Sequence, residues 1–191
     1  MHSYIDNINS PDDLKKIPLA ELPEVAKEYR DFLIETVSKT GGHLGASLGA
    51  VELCVALHYV LNSPTDKICW DVGHQAYVHK LITGRRDQLL TIRQEGGLSG
   101  FPSPFENPND QFVVGHACTA ISQALGLAVA RDLHHRKEHV VAVVGDGSLS
   151  GGLSYEALNN AGHLQKQMLI ILNDNEMSIS KSVGAISKYL N

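Results

Sequence analysis

Apolar residues recur at helical spacing through Leu22, Val25, Ala26, Tyr29, Phe32 and Leu33. That period predicts an amphipathic helix, and Gly41-Gly42 should stop it. Upstream, Ser10-Pro11-Asp12-Asp13 reads as a helix start, with a Ser cap, Pro at the first helical position and acids in the first turn. After GGHLGASLG the chain runs VELCVALHYVL, apolar nearly all round, which predicts a buried helix ended by Asn62-Ser63-Pro64. Lys67–Trp70 reads as a short strand, and DVGHQAYVHKLITGRR as a turn feeding a helix. Thr91–Asp110 is rich in Gly, Pro and Ser and reads as a long loop, of the kind that is functional or mobile in compact domains. Gln111–Val114 is expected to be a short strand, with GHACT leading into the helix AISQALGLAVARDL. HVVAVV is then a strand, GLSYEALNNAGH a helix and QMLIILN another strand. A βαβαβ order with apolar, β-branched strands predicts an α/β fold, a parallel sheet with helices on both faces. One sheet edge should be incomplete, because SKSVGAISKYLN runs on into what reads as another helix.

Composition narrows the function. The chain has 191 residues, 43% hydrophobic and 19% charged, enough for one domain with a full core. A net charge of −5, with Lys and Arg scattered, argues against a nucleic-acid partner. No apolar run approaches the length of a membrane span, and the polar N-terminus lacks a signal-peptide pattern. Cys54, Cys69 and Cys118 lack metal-type spacing and read as reduced core thiols of a cytoplasmic protein. The ten histidines form no zinc motif. His58 and His79 ride on helices and read as surface or core-packing side chains, and His134-His135-Arg136-Lys137 reads as an exposed helix end.

Chemistry concentrates in GDGSLSGGLSYEALNNAGHLQKQMLIILNDN, residues 145–175. If two adjacent parallel strands precede them, Asp146 and Asn175 emerge at the same carboxyl edge of the sheet, where α/β folds bind ligands. A carboxylate with an amide oxygen suits Mg²⁺ or Ca²⁺, and the glycines let backbone N–H groups approach a phosphate. A P-loop would need a Lys that Ser150-Gly151-Gly152 does not offer. A Rossmann site would set Asp146 against a pyrophosphate, a repulsion of about 4 kcal/mol at ~4 Å and an effective dielectric of 20. A Gly-rich turn with no ligand is the remaining alternative.

GDG followed by N-D-N resembles the diphosphate-binding motif of thiamine-diphosphate enzymes. GGHLGASLGAVELCVALHYVLN, WDVGHQAYVHKLITGRRDQL and LNDNEMSISKSVGA narrow this to a resemblance to the 1-deoxy-D-xylulose-5-phosphate synthase family, which is transketolase-like. The resemblance spans essentially the whole chain. It implies a cytoplasmic homodimeric transferase that condenses pyruvate with glyceraldehyde 3-phosphate, giving 1-deoxy-D-xylulose 5-phosphate and CO₂ for isoprenoid, thiamine and pyridoxal biosynthesis. The implied cofactors are thiamine diphosphate and Mg²⁺. Carried over by motif position, Asp146, Asn175 and the Met177 carbonyl ligate the metal. Gly147 and Ser148 hold the diphosphate through backbone N–H, and His74 reaches it. Gly115, His116 and Ala117 line the thiamine, although GHACTA stands where the family usually has a Ser/Thr-rich run. His43 lies near the thiazolium as a proton shuttle, and Ser47 faces the cofactor.

Residues 1–191 would then be the N-terminal diphosphate-binding domain, truncated. The resemblance puts the activating glutamate and the substrate-phosphate arginines in pyrimidine-binding and C-terminal domains that follow it. The expectation is one part of a longer synthase, inactive alone. The alternatives are transketolase proper, a split-enzyme subunit, or a thiamine-diphosphate-binding module without catalysis.

Overall fold

A computed structural model describes residues 3–174 and residue 185. Helices α1 (Tyr4–Asn7), α2 (Pro11–Leu14), α3 (Leu22–Thr40), α4 (Leu44–Leu48) and α5 (Val51–Val60) precede strand β1 (Lys67–Trp70). Then come α6 (Tyr77–Ile82), α7 (Ala120–Leu133), β2 (Val140–Gly145), α8 (Asp146–Leu149), α9 (Gly152–Leu164) and β3 (Leu169–Asn173). The expected α2 start is present. The Ser10 hydroxyl accepts from the Asp13 N–H and donates to its carboxylate, with Pro11 at the first helical position. α3 buries Val25, Ala26, Tyr29, Leu33 and Val37, and ends at Gly41 with φ +75°, a left-handed conformation glycine adopts without strain.

The sheet is parallel in the order β1-β2-β3, with Trp70 opposite Val143 and Gly145 opposite Asn173. Both faces are apolar, so alternation along β1 and β2 sorts residues between two cores rather than between core and solvent. Ile68, Trp70, Val141 and Val143 pack against α3, α5 and α6. Cys69, Val140, Ala142 and Val144 pack against α7 and Ala157 of α9. The α/β class and the helices on both faces are therefore as expected. β3 is the open side among the described residues, where Leu169 and Leu172 keep 51% and 37% of their surface exposed.

Two expectations need correction. Gln111–Val114 is not a strand. The outer edge of β1 has no ladder partner among the described residues, yet the segment does not pair there, and the Val114 N–H turns instead to the Pro102 carbonyl at 3.4 Å. The β1-to-β2 crossover is thus one long connection holding α6, an irregular stretch and α7. Cys118 is not a core thiol. It is partly exposed, at φ +70° in the turn before α7, whereas Cys54 and Cys69 are buried; all three are free. The 91–110 loop is packed down, with Ile92, Leu98, Asn109 and Asp110 buried. His58 and His79, read as surface or core side chains, are fully buried, and residues 134–137 are exposed beyond α7, as the sequence suggested. The expected helix after residue 180 lies outside the described residues.

Candidate functional site

All three strands run the same way, so their carboxyl ends deliver the following residues to one edge. β1 ends at Trp70 and hands over to DVGHQAY. The Asp71 carboxylate is buried and accepts two backbone N–H groups, from Cys118 at 2.9 Å and Ala120 at 3.1 Å. It ties the turn before α7, and that helix's first free N–H groups, to the end of β1. Gly73 has φ +88°, and a Cβ there would lie 2.3 Å from Pro102 Cδ and 2.7 Å from Val114 Cγ2. Only glycine lets the loop close over this turn. Gln75 spans the other two strands. Its amide faces the Val143 carbonyl at 3.5 Å, and its oxygen accepts from Asn173 at 3.1 Å.

His74 and His43 meet above this edge. Their rings are 5.5 Å apart and T-shaped, and Phe101 lies 6.0 Å from His43. The backbone N–H of His43 donates to the Tyr77 hydroxyl at 3.3 Å, so α6 fixes the chain leaving α3. Nδ1 of each histidine is buried without a hydrogen-bond partner among the described residues. Burial first, and then the charge of Arg93, lower the pKa of His43. Burial and then His43 lower that of His74, against a smaller opposing pull from Asp71. Each ring is thereby biased toward the neutral form at pH 7. Ser47 sits beneath them, fully buried, its hydroxyl donating to the His74 carbonyl at 3.0 Å. Its hydroxyl thus supports His74 from below.

The end of β2 forms the opposite lip. Asp146 and Gly147 start the single-turn α8, and a Cβ built at Gly145 or Gly147 meets nothing within 4 Å, so this turn is open. The half-buried Asp146 carboxylate takes no hydrogen bond from the described residues. Ser148 is buried, and its carbonyl accepts from the Ser154 hydroxyl at 2.9 Å and the Gly151 N–H at 3.2 Å. A Cβ at Gly151 would fall 2.2 Å from Cys118 Sγ, so this turn lies directly against the Gly115–Cys118 turn. Gly115 faces Phe101, while His116 is exposed, with Nδ1 3.0 Å from the Ala117 carbonyl.

The fold thus gathers His43, His74, Ser47, Gly115, Ala117, Asp146, Gly147 and Ser148 around one edge, with His116 on its rim. Asn175 and Met177 lie outside the described residues. Among the described residues no group of three His, Cys, Asp or Glu side chains is arranged to hold a metal. The residues nevertheless fit a phosphorylated cofactor with a cation: an unpartnered carboxylate, an open glycine turn and two buried imidazole nitrogens lacking partners. Sequence reasoning missed Asp71, Gln75, Tyr77 and Phe101. For Asp71 and Gln75 a signal existed, since polar residues directly after a buried strand need partners. Phe101, in a Gly/Pro-rich loop, gave none.

Residues 5–191 match the protein family described as 1-deoxy-D-xylulose-5-phosphate synthase. Among curated proteins, synthases of that name are similar along the whole chain. One from Alkaliphilus oremlandii is 59% identical over 191 residues, and one from Geobacter sulfurreducens is 57% identical over 190. One from Dehalococcoides mccartyi is 58% identical over 191 residues. The chain spans 31%, 30% and 30% of these relatives' lengths, so it corresponds to under a third of each.

Proposed function

The chain belongs to the 1-deoxy-D-xylulose-5-phosphate synthase family, and from that premise we propose that it provides the diphosphate-and-cation side of a thiamine-diphosphate-dependent transferase site. The reaction proposed for the enzyme carrying it joins pyruvate to glyceraldehyde 3-phosphate with loss of CO₂. The observation that carries the reading is the meeting of His74, His43 and the open Asp146-Gly147 turn at one sheet edge. Bound there, thiamine diphosphate would supply an electron sink for decarboxylation.

The chain's own residues bind and orient. Asp146 contributes a hard, charged oxygen to Mg²⁺, with Asn175 and Met177 completing the protein ligands by motif position. Gly147 and Ser148 offer backbone N–H groups to the diphosphate, and the neutral ring of His74 offers a further hydrogen bond. Gly115, His116 and Ala117 line the thiamine. His43, biased toward the neutral form, accepts or returns a proton at Nε2, the ring nitrogen that is not buried. Phe101 keeps water from one side of its ring. A cytoplasmic homodimer, dependent on the remaining domains for turnover, belongs to the same reading; the family and the three free thiols support it.

Isothermal titration of thiamine diphosphate, with and without Mg²⁺, into the enzyme carrying this chain tests the assignment. Asp146→Ala is expected to abolish the Mg²⁺-dependent part of binding, because a ligand and its charge are lost together. Unchanged binding would remove Asp146 from the metal site.

A further inference from the structure

Behind the site, four charged side chains are packed where charge is costly. Lys80 on α6 and Arg85 just after it keep 0% and 2% of their side-chain surface. Lys80 Nζ donates to Glu106 Oε2 at 2.5 Å. Arg85 grips Asp110 with both terminal nitrogens, at 2.6 and 2.9 Å, and His79 Nε2 donates to the same carboxylate at 2.7 Å. Burial alone would raise the Asp110 carboxyl, but the hydrogen bonds from His79 and Arg85 outweigh it and hold the group well below the usual carboxylate range.

Buried ion pairs are weak evidence for stability, since apolar packing of equal volume does as well. These carboxylates do something apolar groups cannot. Glu106 Oε1 accepts the Ser99 N–H at 2.7 Å, and Asp110 Oδ2 accepts the Ser103 N–H at 2.7 Å. Ser99 and Ser103 bracket Gly100-Phe101-Pro102. Phe101 is the residue against His43 and Gly115, and Pro102 the one pressed onto Gly73. Asn107 adds a third tie, from its amide to the Thr83 carbonyl at 3.0 Å.

We propose that Lys80 with Glu106 and Arg85 with Asp110 are positioning residues: a buried clamp that holds Phe101 against His43 and so sets the environment of the site's proton-handling imidazole. The role of His43 rests on the function proposed above; the clamp itself is a statement about this chain. Loosening it should withdraw Phe101 and let water reach His43, whose other charged or titratable neighbours, His74 and Arg93, remain in place.

The test is NMR titration of the histidine ring signals in the enzyme carrying this chain and in its Glu106→Ala and Lys80→Met variants. Glu106 keeps 21% of its side-chain surface, so it is the mildest entry point, and Lys80→Met leaves α6 a side chain of similar length. If the clamp positions the loop, the His43 midpoint rises toward its ordinary value by about half a pH unit or more in either variant that folds. The backbone amide signals of α9, on the other side of the sheet from α6, stay in place as the internal control. A His43 midpoint that does not move, or that moves only when the α9 amide signals shift as well, overturns the proposal. Thiamine diphosphate titrated into the wild-type enzyme separates the two readings. Absent binding there defeats the proposed function, while the His43 midpoints still decide the clamp.

Discussion

His43 shows how much of a residue's chemistry comes from its neighbours. The sequence places it between glycine and leucine just past a helix end. The fold gives it a backbone tether to Tyr77, an edge contact with His74 and an aromatic wall in Phe101. Burial then keeps its pKa below the ordinary value of 6.5, so near pH 7 the ring is an available base. His43→Ala in the full enzyme is expected to lower kcat by about 10²- to 10⁴-fold while leaving cofactor affinity within a small factor. The wild-type rate should fall as pH drops through this lowered pKa, and the variant should lose that acid limb. Steady-state kinetics across pH, beside cofactor titrations, would check both. A variant that loses affinity but keeps its rate per occupied site would remove the proton role.

At the scale of elements, the site depends on how strand ends and helix starts are joined. Asp71 is the clearest joint, one carboxylate taking the N–H groups of Cys118 and Ala120. An amide offers a single acceptor oxygen and turns its N–H₂ toward a donor. Asp71→Asn should therefore cost about 1–3 kcal/mol in urea unfolding, the cost of a buried donor left without a partner. It should also loosen the Gly115–Cys118 turn against Gly151. A variant as stable as wild type would show that α7 does not need this cap. Gln75 acts similarly between β2 and β3, holding Asn173 at the edge that Asp146 follows.

Across the whole molecule, titratable groups make the fold acid-sensitive. His43 and His74 have pKa values lowered by burial, so the unfolded chain binds protons more readily than the native one below about pH 6.5. Their contribution is present above that pH and fades as pH falls. Asp110, with its carboxyl held low, adds stability that is present above the ordinary carboxylate value of 3.8 and is lost below it. Unfolding midpoints in urea should thus decline from pH 7 to 5 and again below pH 4. A midpoint flat from pH 7 to 5 would contradict the lowered histidine values. No described helix is long and apolar enough to cross a membrane.

The sequence by itself determined the start of α2, the stop of α3, the parallel α/β class, the GDG turn and the family resemblance. Each is written locally, in period, in glycine and proline punctuation, or in a contiguous motif such as DVGHQAY. It misplaced Gln111–Val114, because a short apolar run does not say where its backbone N–H groups find partners; that of Val114 goes to the Pro102 carbonyl. It misread Cys118 for a related reason, since apolar neighbours in sequence do not reveal a left-handed turn at the site's rim. The Asp71 cap, the Gln75 bridge, the Phe101 wall and the clamp behind it were decided only by tertiary structure. Each joins residues 25 to 98 positions apart, and such a contact leaves no periodic trace for a reader of the chain to find.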